Sequence, residues 1–275
     1  LTRTGWWFDS ARGQFLIQLY LFQSISCYIT LFVMSTIEFR GKQIPVTVAD
    51  PADISLAINS DLVKNWLKDM DPSMDVQSIE VQSVDKFGSG RVGFIKIKTV
   101  TIRNGVKIPG IVVLRGSAVG VLIILTDKET KKQYTILTEQ PRVPVGQITL
   151  EIPAGMTDGD GNLKGVAIKE LEEECGLKAN SDDLIDLTEL AYGGKFPGIY
   201  SSMGLLDETI RLFLWQLELP HEKVMELEGR LGGEDDHEQI TLRLVPFEDV
   251  WLKFPDPKTL CSIFLYQQLK SNGKL

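Results

Sequence analysis

The chain is poor in the residues that build covalent or metal-tied scaffolds. Cys27, Cys175 and Cys261 are too few and too scattered, over 275 residues, for a disulfide framework or a zinc site. The two histidines, His221 and His237, cannot make a metal centre by themselves. This usage points to a reducing, intracellular compartment. Basic charge is also short. Against 37 Asp and Glu there are 29 Lys and Arg, a net charge of −8. No Lys/Arg cluster with interleaved aromatics offsets it, which argues against a nucleic-acid partner. Internal repeats and low-complexity tracts are missing. A long, clean hydrophobic run is missing too. The nearest is Phe15–Val33, long enough for a bilayer but interrupted by Gln18, Gln23, Ser24, Ser26 and Thr30, so no stable membrane insertion is expected. Residues 1–34 are read as a targeting segment, or as extraneous sequence upstream of a start at Met34, and are set aside from the fold.

What is present is ordinary globular material, 43% hydrophobic and 24% charged. Ile44, Val46 and Val48 alternate as in a strand. Ile54 to Met70 reads as one helix, ended by Asp71-Pro72, with Trp66 as a core anchor. Val76 to Arg115 reads as a small antiparallel sheet, with Arg103-Asn104-Gly105 as a hairpin turn. Alternating strands at a domain edge can pair with a second copy of the chain. From Gly116 the pattern is denser. Val119–Leu125 is a continuous apolar run, typical of a strand buried on both faces, and Tyr134–Thr138 is its partner. Leu150–Gly155 is a further strand. Leu184–Ala191, Ile210–Leu219 and Ile240–Pro246 read as strands, and Lys258–Leu269 as a last helix. Strands around a central helix, closed by a final helix, predict an α/β/α sandwich about a mixed sheet.

The central helix carries the chemistry. In Gly155–Leu177 nothing breaks a helix from Gly165 to Cys175, and Gly176 is a natural stop. Ala167, Leu171 and Cys175 make an apolar stripe at four-residue spacing. Glu170, Glu173 and Glu174 fall at i, i+3 and i+4 on another face, where like charges repel. A hard divalent cation such as Mg²⁺ removes that repulsion, taking a few carboxylates and a phosphorylated substrate into its shell. The alternative is a solvated acidic helix.

The flanking residues extend the pattern. Gly155, Glu170, Leu171, Glu173, Glu174, Gly176 and Leu177 stand in register with the motif G-x5-E-x7-R-E-U-x-E-E-x-G-U, where U is bulky and apolar. The stretch therefore resembles the Nudix box. Gly161 stands where that family has Glu, and Lys169 where it has Arg. Lysine is a point charge and cannot copy the planar guanidinium fork.

The resemblance implies a set of roles. Glu170, Glu173, Glu174 and the Ala154 carbonyl would hold Mg²⁺, or Mn²⁺, with Glu238 as a further ligand. Glu173, Lys169 and Asp236 would be catalytic, Asp236 as base and Lys169 in the place of the orienting arginine. Glu139-Gln140-Pro141-Arg142 resembles the E-Q-x-R segment of family members that act on ADP-ribose and ADP-sugars. There Glu139, Gly155 and Arg142 contact substrate, Arg142 through the diphosphate. Phe196-Pro197-Gly198 through Asp207-Glu208 resembles the same subgroup's pocket, with Glu208 near the metals and the 193–206 loop as a lid. The plastid-type ADP-sugar diphosphatases of plants are the subgroup most similar. Their resemblance implies hydrolysis of a nucleoside diphosphate sugar to AMP and a sugar phosphate. It also implies a homodimer joined through the strands of residues 35–115, a hydrolase domain over 116–275, and a plastid location if residues 1–34 are a targeting segment, otherwise the cytosol. Two alternatives stay open: another nucleoside diphosphate derivative as substrate, or a nucleotide-binding module without catalysis, suggested by Lys169 and Gly161.

Overall fold

The computed structural model describes residues 33–48, 50–88, 90–157, 159, 161–233 and 239–275. The N-terminal segment up to residue 32, with its apolar run and Cys27, lies outside them. The chain divides after Arg115 into two compact units.

In the first unit the alternating strand is paired from both sides. β1 (Val33–Phe39) turns through Arg40-Gly41, both at positive φ, into β2 (Lys42–Val48). β1 therefore starts inside the stretch that the sequence reading had set aside. Ile44, Val46 and Val48 of β2 are buried, as their spacing predicts. Two helices follow where one was expected: α1 (Pro51–Asn59) and α2 (Asp61–Lys68). Ser60 separates them in an extended conformation, and its hydroxyl accepts from the Leu62 N–H, capping α2. Trp66 is only half-buried against the core, where Val63 and Leu67 take the deep positions. Next come β3 (Asp75–Lys86), β4 (Val92–Arg103), β5 (Val106–Ile108) and β6 (Ile111–Leu114). Asn104 and Gly105 both take positive φ, the conformation of a tight two-residue hairpin turn between β4 and β5. The sheet runs β1-β2-β3-β4-β5, with β6 also on β4. β3 to β6 pair antiparallel, as expected, and the whole sheet is mixed because β2 and β3 are parallel and need the α1–α2 crossover between them.

The second unit is built on β7 (Ala118–Asp127). Its partner β8 (Gln133–Arg142) is followed by β9 (Gln147–Glu151), β10 (Ala154–Met156) and α3 (Leu163–Cys175). β11 (Leu184–Asp186) is short and passes directly into α4 (Leu187–Tyr192). The strand expected over Leu184–Ala191 is thus mostly helix. Asp186 caps it by accepting from the Glu189 N–H at 2.8 Å. β12 (Ile199–Tyr200), β13 (Thr209–Leu219), α5 (His221–Met225), β14 (Leu231–Gly232), β15 (Ile240–Pro246), α6 (Val250–Lys253) and α7 (Pro257–Ser271) complete the unit.

The mixed sheet is ordered β11-β13-β7-β8-β15-β14, with β13 and β7 parallel, β10 beside β7, and β9 beside β8. The two-residue period of β7 divides the core. Val119, Val121, Ile123 and Leu125 pack with Ala167, Leu171 and Cys175 of α3 on one face. Leu122 and Ile124 pack with Ile263, Tyr266 and Leu269 of α7 and Leu187 of α4 on the other. This is the α/β/α sandwich. Each such fully buried aliphatic side chain contributes about 1.5–3 kcal/mol, so α3 is held by its stripe and not by its glutamates. No helix among the described residues is long and apolar enough to cross a membrane.

Candidate functional site

The helix α3 starts and stops where its residues dictate. The Asn162 side chain accepts from the Gly165 N–H at 3.1 Å. Gly176 takes φ 61° at the end, with its N–H bonded to the Glu172 carbonyl at 2.9 Å. Burying Ala167, Leu171 and Cys175 turns Glu170 and Glu174 toward β10, the strand that leads into the helix.

Two carboxylates close on β10. Glu174 is buried, and its Oε2 accepts from the Ala154 N–H at 3.0 Å. Burial, and then the charge of Glu170, push its carboxyl up to about 8, against the opposing pull of the Ala154 N–H, Arg142 and Lys258. Glu170 lies against Gly155: a Cβ on that glycine would fall 1.8 Å from Glu170 Oε1. Gly155 is therefore glycine because the carboxylate occupies the side-chain position. Glu173 makes a 2.6 Å ion pair with Lys169 one turn back. Glu172 is exposed and bridges to Lys178 at 2.9 Å. Among the described residues no three His, Cys, Asp or Glu side chains form a ready-made metal cluster. The donors present at β10 are all hard oxygens, two carboxylates and the Ala154 carbonyl, and a buried carboxylate with a raised pKa beside a second one is the environment that a divalent cation relieves. The residues fit such an ion.

The E-Q-x-R segment ends β8, and both of its charged residues are held in forks. Glu139 takes two hydrogen bonds from Arg243 of β15, at 2.7 and 3.1 Å, which hold its carboxyl below the usual range. Arg142 donates from Nε and Nη2 to the two oxygens of Glu151, at 2.8 and 3.0 Å. Burial would raise the Glu151 carboxyl, but the Arg142 fork, Lys258 and Thr149 outweigh it and hold it down at about 2. Glu151, Arg243 and Lys258 were not among the residues expected from the sequence. A signal existed for Glu151, a carboxylate on an inward position of a strand, but one of its partners, Lys258, comes from a distant segment.

Glu208 is buried just before β13 and accepts from the Ser201 hydroxyl, which ties the 193–206 loop to the start of that strand. Asp207 accepts from the Gly116 N–H at 3.3 Å. Met156 of β10 and Ile210 of β13 both pair with Ala118, from opposite sides of β7. The start of β13, next to Glu208, is thus two strand spacings, roughly 10 Å, from β10. Asp236 and Glu238 lie outside the described residues. The chain approaching them is fixed against α3: the Gly233 N–H donates to the Glu173 carbonyl at 3.0 Å, and a Cβ on Gly232 would fall 1.8 Å from the Glu174 carbonyl oxygen.

Comparison with known proteins identifies the family. The NUDIX domain family model matches residues 116–262. The chain is 41% identical over 247 residues to "Nudix hydrolase 14, chloroplastic" of Arabidopsis thaliana, covering 83% of this chain and 79% of that one. It is 29% identical over 204 residues to an "ADP-ribose pyrophosphatase" of Bacillus subtilis (strain 168), covering 71% and 96%. A solved structure described as an "ADP compounds hydrolase" shares the fold with a TM-score of 0.51 at 18% identity, over 74% of this chain and 97% of that one. A domain match over half the chain, together with the first relative, establishes the family: the chain belongs to the Nudix hydrolases.

Proposed function

We propose that this Nudix hydrolase cleaves the diphosphate bond of ADP-sugars, ADP-ribose and ADP-glucose among them, to AMP and a sugar phosphate. The observation that carries the reading is the pair of carboxylates on β10: Glu174 buried on the Ala154 N–H, and Glu170 in the space left by Gly155. Relatives named for ADP-ribose pyrophosphatase activity, from Bacillus subtilis and from Saccharomyces cerevisiae, support the substrate class.

In this reading Ala154, Glu170, Glu173, Glu174 and Glu238 hold Mg²⁺, with Mn²⁺ able to replace it. When bound, the divalent cations neutralise the diphosphate and acidify the attacking water. The chain's own residues do the remaining work. Arg142 uses the N–H groups not taken by Glu151 to grip the diphosphate. Gly155 leaves the room in which Glu170 and the substrate approach. Lys169 holds Glu173 in place, and Asp236 takes the proton from water. Glu139, fixed by Arg243, and Glu208, fixed by Ser201, shape the sugar side. The N-terminal strands join two chains into a dimer, and the enzyme works in the plastid, as the name of the Arabidopsis relative suggests for that protein.

A substrate panel tests the reading. Purified protein with ADP-ribose, ADP-glucose and other nucleoside diphosphate derivatives, in millimolar Mg²⁺, should release AMP from the ADP-sugars as separated by chromatography. Binding of ADP-ribose with no turnover, or turnover confined to other nucleotides, would contradict it.

A further inference from the structure

The α7 helix sends a buried lysine into the site. Lys258, in the first turn of α7, has a side chain only 10% exposed, and its Nζ donates to Glu151 Oε2 and, at 3.2 Å, to Asp256 Oδ1. Asp256 turns its other oxygen to the helix, accepting from the Thr259 N–H at 3.0 Å. The Thr259 hydroxyl in turn accepts from the Ile152 N–H at 3.1 Å. The first turn of α7 therefore grips Glu151 and Ile152, the residues that lead directly into β10.

Glu151 is the centre of this network, and its acceptors are all used. Oε1 takes Arg142 Nε and the Thr149 hydroxyl, at 2.8 and 2.7 Å. Oε2 takes Arg142 Nη2, at 3.0 Å, and Lys258. A carboxylate facing Arg142 alone would neutralise that guanidinium and draw it inward. Here the carboxylate is shared between two cations. Asp256 compensates part of the added charge, but its own is also shared, with the N-terminus of α7. Arg142 keeps three N–H groups outside the fork and a side chain 43% exposed.

We propose that Lys258 is a positioning residue for the diphosphate, acting through Glu151 to hold Arg142 in orientation and to leave its charge available to substrate phosphate. The inference rests on Arg142 as the phosphate-gripping residue of the proposed function. It adds a second-layer cation, contributed by the last helix.

The test uses inorganic pyrophosphate in a calorimetric titration of the full chain, so that the result does not depend on which nucleotide is the substrate. Lys258→Met should weaken pyrophosphate binding about tenfold, roughly 1.4 kcal/mol, and Lys258→Arg should stay within about threefold of wild type. In an Arg142→Ala background the same Lys258→Met change should cost less than about twofold, because the two residues act as one unit. If Lys258→Met does not fold, Lys258→Gln carries the same comparison. An unchanged affinity in the lysine variant, or an equal loss with and without Arg142, overturns the proposal. Turnover of ADP-ribose by the wild type reads separately on the proposed function.

Discussion

At the scale of the residue, the site depends on one missing side chain. Gly155 does not need a left-handed backbone; it needs to be empty, because the Glu170 carboxylate stands where a Cβ would be. The atom it would meet is the end of a flexible side chain, so the fold can yield by moving Glu170. Gly155→Ala should therefore cost little stability, about 1 kcal/mol, while activity falls on the order of a hundredfold through the displaced carboxylate. Thermal melts beside kcat/KM measurements separate the two, and a variant that loses its fold as readily as its activity would contradict this account. Glu151 gives a pH dependence of defined sign. Its carboxyl lies at about 2 in the folded chain against 4.5 unperturbed, so its stabilisation is complete above 4.5 and is lost as pH falls through about 2. A shift of that size is worth on the order of 3 kcal/mol. In urea titrations wild type should lose this component between pH 4.5 and about 2, and Glu151→Gln should not show it. Parallel curves for the two proteins would remove Glu151 as the cause.

At the scale of the element, α3 and the segment entering the acidic loop are locked backbone to backbone. Gly232 faces the Glu174 carbonyl oxygen, 1.8 Å from where a Cβ would stand, and neither partner can swing aside. Gly232→Ala should push that segment off α3, destabilising by about 1–3 kcal/mol, and a denaturation midpoint unchanged from wild type would refute the close approach. Much of α3 was legible in the sequence, because its apolar stripe and its glycine stop are local signals. The losses were also local in kind. Asp186-Leu187-Thr188-Glu189 carries a capping signature that apolar strand-like neighbours concealed. Ser60 ends one helix and caps the next inside a continuous apolar period. What no local pattern could supply were the forks, Arg142 with Glu151 and Arg243 with Glu139, since their partners are set by strand register. The Lys169–Glu173 pair differs in kind, being an i,i+4 contact on one helix that spacing alone makes legible.

At the scale of the whole molecule, the chain combines a mixed N-terminal sheet with a Nudix sandwich, and each has a task in the proposed enzyme. Among the described residues the N-terminal sheet ends at β1 and β5, and edge strands of this kind can pair with a second copy. Light scattering should return twice the 30.8 kDa of one chain, and a monomer at micromolar concentration would remove the sheet's proposed role. The sandwich has the heavier claim: that the carboxylates on β10 hold the ions which make a diphosphate bond labile. The measurement that tests it most directly is ADP-ribose hydrolysis in millimolar Mg²⁺ by wild type and by Glu174→Gln, with folding checked by circular dichroism. The account predicts AMP and a sugar phosphate from the wild type and a rate lower by about a hundredfold or more in the folded variant. A folded Glu174→Gln protein working near the wild-type rate would contradict it.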